Sequence, residues 1–243
     1  MPLVRTPALV LRAYDYGDSS RIFRLTTPES GVQSLLARGV KGPRSRLRGV
    51  LDLFNLIEVS YVRKPGRTLH LPRDADLVST HPRMKRDLDR TLAFGSVARL
   101  LQALSEEGER NPELFGFMVA TASAFDAPEL PSQALEPLRQ HACWQVLSFK
   151  GYAPQVEHCV ACGAAAGRRP SFAVSEGGVL CGRCAAGRPS LSTREYGALR
   201  LFVDGEASAA AEWRFAEGEG RRLDRIREAF AAYHTGFAPA RPR

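Results

Sequence analysis

Cys159 and Cys162, and Cys181 and Cys184, form two C-x2-C pairs with 18 residues between them. That spacing lies in the range of structural zinc sites. Each knuckle turns back so that both thiolates face one cation. Four thiolates close a tetrahedral shell and leave no open position for a reacting ligand, so the expected role is structural, one Zn2+ per chain. The intervening segment, GAAAGRRPSFAVSEGGVL, is poor in large apolar residues, and metal binding would drive its ordering. Gly163 and Gly182 fall where knuckle geometry is tightest. The other readings fit less well. Disulfides belong to oxidising compartments, and a redox C-x-x-C usually occurs once, in a βαβ setting. The fifth cysteine, Cys143, lies beside Trp144 in an apolar helical stretch and reads as core. His158 abuts Cys159 as a spare ligand that a complete cysteine set does not need.

A second concentration of chemistry is electrostatic. The stretch RGVKGPRSRLR holds Arg38, Lys41, Arg44, Arg46 and Arg48 and no acidic residue. The chain carries a formal charge of +8, of which residues 1–80 supply +6. Without this stretch those residues are nearly neutral. A localised excess of this kind is the footprint of a polyanion partner, weighed here against a merely solvated charge run. Arg outnumbers Lys by 30 to 4, which reads as compositional bias rather than a choice for phosphate geometry. Arg38 and Lys41 sit nearest the strand end that fixes their direction.

These residues need elements to position them. Residues 3–13, 21–27, 31–39, 50–62 and 67–72 are short apolar and β-branched runs. Turn signals at Tyr16-Gly17-Asp18, Pro28 to Gly31, the basic stretch and Lys64-Pro65-Gly66 separate them. Five strands in about 75 residues predict a small closed barrel, of oligonucleotide-binding (OB) type first and SH3-like second. The basic stretch then joins strands 3 and 4. Arg21 and Arg24 on strand 2 project to opposite faces, so only one joins a binding groove; Arg24 is taken as that residue. Tyr14 and Tyr16 flank a turn and are candidates for base stacking, whereas Phe23 and Phe54 read as core. Beyond residue 80 the apolar period becomes helical. Helices are expected from Leu88 to Leu104, from Asn111-Pro112, from Leu135 to Lys150 with Gly151 as its stop, and over 221–233, with a capping box at Ser192 and Glu195. The tail after Gly236 is expected to fray. The expected division is a barrel domain (1–80), a helical domain (81–155 and 189–243) and an inserted four-cysteine zinc module (156–188), an α+β multidomain chain. No apolar run nears the roughly 20 residues of a membrane span, and the N-terminus carries no secretory pattern.

The segments GYAPQVEHCVACG (151–163) and FAVSEGGVLCGRC (172–184) resemble the central signature of the RecO family of bacterial DNA repair proteins. ALVLRAYDYGDSSRIFRLTTPESG and LLARGVKGPRSRLRGVLDLFNLIEVSY resemble that family's opening. The resemblance implies a non-catalytic recombination mediator: an OB domain, a helical domain and, in many members, a zinc insertion. It implies binding of single- and double-stranded DNA, strand annealing, and loading of RecA on DNA coated by single-stranded DNA-binding protein (SSB), with RecR as partner. It implies a cytoplasmic, nucleoid-associated location. Cys159, Cys162, Cys181 and Cys184 match the family's zinc ligands. The C-terminus HTGFAPARPR departs from the Lys-rich tail of many relatives.

Residue by residue, the expected DNA contacts are Arg38, Lys41, Arg44, Arg46, Arg48 and Arg24. A secondary surface is expected from Arg83, Lys85, Arg86 and Arg90, diluted by Asp87 and Asp89, and from Arg168 and Arg169 beside the cysteines. Two other classes stay open on residues alone: a zinc-containing nucleic-acid repair enzyme, and an RNA- or ribosome-associated zinc-ribbon protein. Against the enzyme, the chain has no P-loop and no H-x-E…P-C-x-x-C pattern.

Overall fold

The first strand, β1 (Leu3–Tyr16), is 14 residues long because it serves two neighbours in turn. Its first half lies antiparallel to residues 56–62 and its second half to β2 (Ser20–Thr27). A register shift between Val10 and Arg12 bends it between the two. β2 pairs with β3 (Gly31–Ala37), and β4 (Leu56–Val62) with β5 (Leu69–Ser79), both antiparallel. A short parallel contact of β3 with β5 closes the barrel in the order β1-β2-β3-β5-β4. This is the OB-type barrel, not the SH3-like alternative. The computed structural model describes residues 3–63, 66–106 and 108–237. Lys64 and Pro65 of the expected Lys64-Pro65-Gly66 turn, and the tail from residue 238, lie outside them.

The alternation in β4 explains the barrel interior. Ile57, Val59 and Tyr61 are fully buried and the intervening residues only partly so. They meet Ala8, Val10, Phe23, Leu25 and Leu35 in one core. The strand expected over 50–62 begins only at Leu56. Asn55, fully buried, donates its side-chain amide to the carbonyls of Gly49 (3.0 Å) and Val50 (2.9 Å), which locks a turn before the strand. Phe54 adopts a left-handed φ of 61° in that turn. Its ring packs edge-on against Phe94 at 4.9 Å, and His81 Nδ1 lies 2.6 Å from its carbonyl oxygen. Those contacts offset a backbone cost of about 1–3 kcal/mol. β5 runs seven residues past its expected end at 72, since its pairing with β4 continues to Ser79.

Two compact units emerge, Met1–Glu129 and Leu130–Arg243. The first joins the barrel to α1 (Pro82–Arg86), α2 (Leu88–Leu104) and α3 (Pro112–Asp126). Asp87 caps α2 by accepting from the Arg90 amide, and Asn111 caps α3 by accepting from that of Leu114. In the second unit, α4 (Leu135–Phe149) supplies the fully buried Trp144, whose ring meets Phe230 at 5.3 Å and Phe172 at 6.3 Å. Truncating such a ring costs about 3–5 kcal/mol. A small hairpin, β6 (Ser171–Ala173) and β7 (Gly178–Leu180), carries Phe172. The helices α5 (Thr193–Asp204), α6 (Ala207–Glu212) and α7 (Glu219–Thr235) complete the unit. Both bonds of the expected capping box at Ser192 and Glu195 are present.

Candidate metal centre and nucleic-acid interface

The two cysteine knuckles meet beside the β6–β7 hairpin, where Cys159 and Cys181 cluster with Ala173 and Leu180. The Sγ atoms of Cys159, Cys162, Cys181 and Cys184 all lie within 4.8 Å of one another, and those of Cys162 and Cys181 are 3.8 Å apart. A tetrahedral ion with Zn–S bonds of ~2.3 Å separates its sulfur ligands by about 3.8 Å. The donor set fits a metal by charge as well. Amide groups, first that of Cys181 and then those of Ala161 and Cys162, donate to the Cys159 sulfur and hold its thiol down to about 6. The amides of Cys184 and Arg183 lower that of Cys181. The Cys184 thiol is pushed up to about 12, first by the Cys162 sulfur and then by those of Cys181 and Cys159. Four sulfur atoms this close cannot all ionise without a cation between them. Gly163 turns the first knuckle with φ 71°, as expected. Gly182 does not carry the second: its φ is not left-handed, and a Cβ there would meet nothing. The tight position is Gly178, where a Cβ would fall 2.3 Å from the Gln155 carbonyl.

The module is bolted to its helices. Tyr196 donates to the Val156 carbonyl at 2.8 Å, Arg200 reaches Glu157 at 3.1 Å, and His234 Nε2 lies 2.7 Å from the Val174 carbonyl. The expected deficit of apolar residues inside the loop is made up by Phe172 and Leu180.

The basic stretch is a chain of tight turns. Amide bonds Gly42 to Gly39, Ser45 to Gly42 and Arg48 to Ser45 step along it, at 3.0–3.2 Å. Val40 and Leu51 sink into the barrel core, and Leu47 and Val50 pack against it. Arg38, Arg44, Arg46 and Arg48 are exposed, and their guanidinium groups have no hydrogen-bond or ion-pair partner among the described residues. Lys41 differs. Its Nζ contacts Asp15 Oδ2 at 3.2 Å and donates to the Gly17 carbonyl at 3.2 Å. Asp15 also binds Arg21 at 2.9 Å.

Arg24 lies on the outer face of β2, opposite Arg12 on β1 and Ser34 on β3. Its Nε is buried with no partner. Like charges opposite one another on adjacent strands repel, which makes Arg12 and Arg24 receptive to an anion. Arg12 escaped the sequence reading, because only the register across β1 and β2 brings it beside Arg24. Its guanidinium lies over the Tyr14 ring at 4.5 Å. Tyr14 and Tyr16 are both exposed, as expected.

The secondary candidates divide. Lys85 is held by Asp52 (2.8 Å) and Asn55 (2.6 Å), and Arg90 by Asp87 and the carbonyls of Phe125 and Ala127. Arg83 lies 4.0 Å from Asp126. Arg86, Arg168 and Arg169 are exposed and unpaired among the described residues.

Comparison with known proteins adds an independent finding. Residues 1–81 match the family described as recombination protein O N terminal, and residues 85–242 the one described as recombination protein O C terminal. The chain is 33% identical over 240 residues to the DNA repair protein RecO of Anaeromyxobacter sp. (strain K), covering 97% of this chain and 93% of that protein. It is 31% identical over 173 residues to RecO of Myxococcus xanthus (strain DK1622), covering 71% and 69%.

Proposed function

The chain belongs to the RecO family of DNA repair proteins, and on that premise we propose that it is a non-catalytic recombination mediator. It binds single- and double-stranded DNA without reading sequence, anneals complementary strands, and with RecR helps load RecA on SSB-coated DNA. RecR and SSB as partners rest on family membership alone. The observation that carries DNA binding is the set of four exposed, unpaired arginines, Arg38, Arg44, Arg46 and Arg48, on a turn-built segment anchored in the barrel core. Phosphates are what such a set lacks. Arg24 and Arg12 extend the cationic surface over the barrel's outer face. Lys41 and Lys85 are already committed to carboxylates and contribute less. Arg86, Arg168 and Arg169 are the candidates for a second strand.

Cys159, Cys162, Cys181 and Cys184 hold one Zn2+, which supplies a crosslink and no reaction. Among the described residues this is the one cluster of three or more His, Cys, Asp or Glu groups placed to hold a metal. Its four thiolates fill a tetrahedral shell, which supports a structural role. No helix among the described residues is long and apolar enough to cross a membrane. Fluorescence anisotropy with single-stranded and duplex oligonucleotides of equal length and mixed sequence, at low salt, tests the reading. Binding to both with little sequence preference is expected; failure to bind either removes it.

A further inference from the structure

Asp52 and Asn55 lie where the basic turns run into β4, and one side chain from α1 holds both. Lys85 Nζ is 2.8 Å from Asp52 Oδ2 and 2.6 Å from Asn55 Oδ1. The amide end of Asn55 donates to the carbonyls of Gly49 and Val50. Lys85 thus reaches the turns through two side chains at once. Its own helix is a fixed platform. Met84 is fully buried; its amide donates to Asp126 Oδ1 at 2.8 Å and its carbonyl accepts from the Thr91 hydroxyl at 2.6 Å. The Lys85 amide donates to the His81 carbonyl at 3.1 Å.

The place of Asp52 gives this clamp an electrostatic consequence. A cleft of about 410 Å3 lies between β2 and the turns, and its lining includes Arg21, Lys41, Arg48 and Asp52. Asp15 already holds Arg21 and Lys41, whereas the Arg48 guanidinium has no partner among the described residues. An uncompensated Asp52 carboxylate in the same cleft would compete with a phosphate for Arg48. Lys85 compensates it. Asn55 is the mechanical half of the clamp. It is fully buried, and without Lys85 its Oδ1 loses this charge-assisted bond, which loosens the side chain that ties Gly49 and Val50 down.

We infer that Lys85 is a positioning residue for the basic turns: it holds Asn55 and neutralises Asp52, and does not itself contact DNA. This rests on the DNA-binding reading and deepens it. The sequence places Lys85 among the secondary DNA contacts, but its ammonium is turned to the base of the basic segment. Turns held in place beforehand lose less freedom when they meet a phosphate backbone. The two roles differ in what salt reports. A phosphate contact adds about 0.7–0.9 to the salt slope, whereas a positioning residue changes affinity at constant slope.

The test uses the full chain, anisotropy over a salt series with a single-stranded and a duplex oligonucleotide, and amide hydrogen exchange of the free protein. Lys85→Met keeps the aliphatic stem. It weakens binding of both probes by roughly three- to tenfold. It also speeds exchange over 47–55, where the amides of Leu51, Asp52 and Asn55 are bonded. Asp52→Asn alone changes affinity by less than about twofold, because its charge is already compensated. Lys85→Met combined with Asp52→Asn keeps the net charge of the wild type; it recovers part of the lost affinity and shows the wild-type salt slope. Unchanged thermal melting certifies the fold of each variant, and a Lys85→Met that melts early is replaced by Lys85→Gln, for which the same pattern is expected. A double variant whose slope falls by about 0.7–0.9 makes Lys85 a phosphate contact and overturns the inference. So does a Lys85→Met that binds and exchanges like the wild type, or an Asp52→Asn gain that is equal with and without Lys85. A wild type that binds neither probe refutes the DNA-binding reading instead; exchange over 47–55 then still decides whether Lys85 holds the turns.

Discussion

Replacing Arg38, Arg44, Arg46 and Arg48 together by Gln should flatten the salt dependence of DNA binding by an amount the structure sets. All four are exposed and unpaired among the described residues, so each is free to displace a counterion. Each phosphate contact contributes a slope of about 0.7 on single strands and 0.9 on duplex. Four contacts give a loss of slope of up to about 2.8 and 3.6. Over a fourfold rise in salt, from about 50 to 200 mM, those contacts alone account for about a 50-fold fall in single-strand affinity and about 150-fold on duplex. The variant should lack that much of the fall. Since the four side chains are exposed and make no hydrogen bond or ion pair among the described residues, stability should stay within about 0.5 kcal/mol of the wild type. Lys41→Gln is the internal control. Its ammonium already neutralises Asp15, so its slope change should be below about one contact. Anisotropy titrations over a series of salt concentrations measure both. A quadruple variant with the wild-type slope, or a Lys41→Gln variant that matches it, would refute the assignment of the turns as the phosphate-contacting element.

Other consequences can be checked with the same protein. The Asp15 carboxyl is held below its usual range by Arg21 first and Lys41 second; Asp15→Asn frees both cations and should steepen the salt slope by up to about 1–2. Asn55→Ala removes two bonds to loop carbonyls and the acceptor of Lys85, and should cost about 2–3 kcal/mol, a fall in Tm of roughly 5–10 °C by calorimetry. Elemental analysis should find about one zinc per chain. A strong chelator should change Trp144 fluorescence through the loss of Phe172 packing, while the barrel's strand signal in circular dichroism persists. Cys159→Ser should reproduce the chelated state, and a variant that keeps stoichiometric zinc would remove Cys159 from the ligand set.

The cysteine spacing, the five strands, the Asn111-Pro112 start of α3 and the Ser192 capping box were legible because each is a local pattern. What the sequence could not carry was register. Arg12 stands beside Arg24 only through the pairing of β1 with β2. The late start of β4 was hidden because VLDLFN has strand-like composition, yet Asn55 turns it back through its side chain. Charge alone also treated Lys41 as equal to its neighbours. Its commitment to Asp15 depends on an earlier turn, between β1 and β2, folding against it. Gly182 misled for the opposite reason, since a glycine can be present without its freedom being used.

The central claim is mediation without catalysis. Complementary oligonucleotides coated with SSB, incubated with the protein and separated by both native and denaturing electrophoresis, test it most directly. Mediation predicts duplex product in amounts that rise with protein, and full-length strands throughout. Cleaved or modified strands, or no annealing by a protein that binds both oligonucleotides, would contradict it.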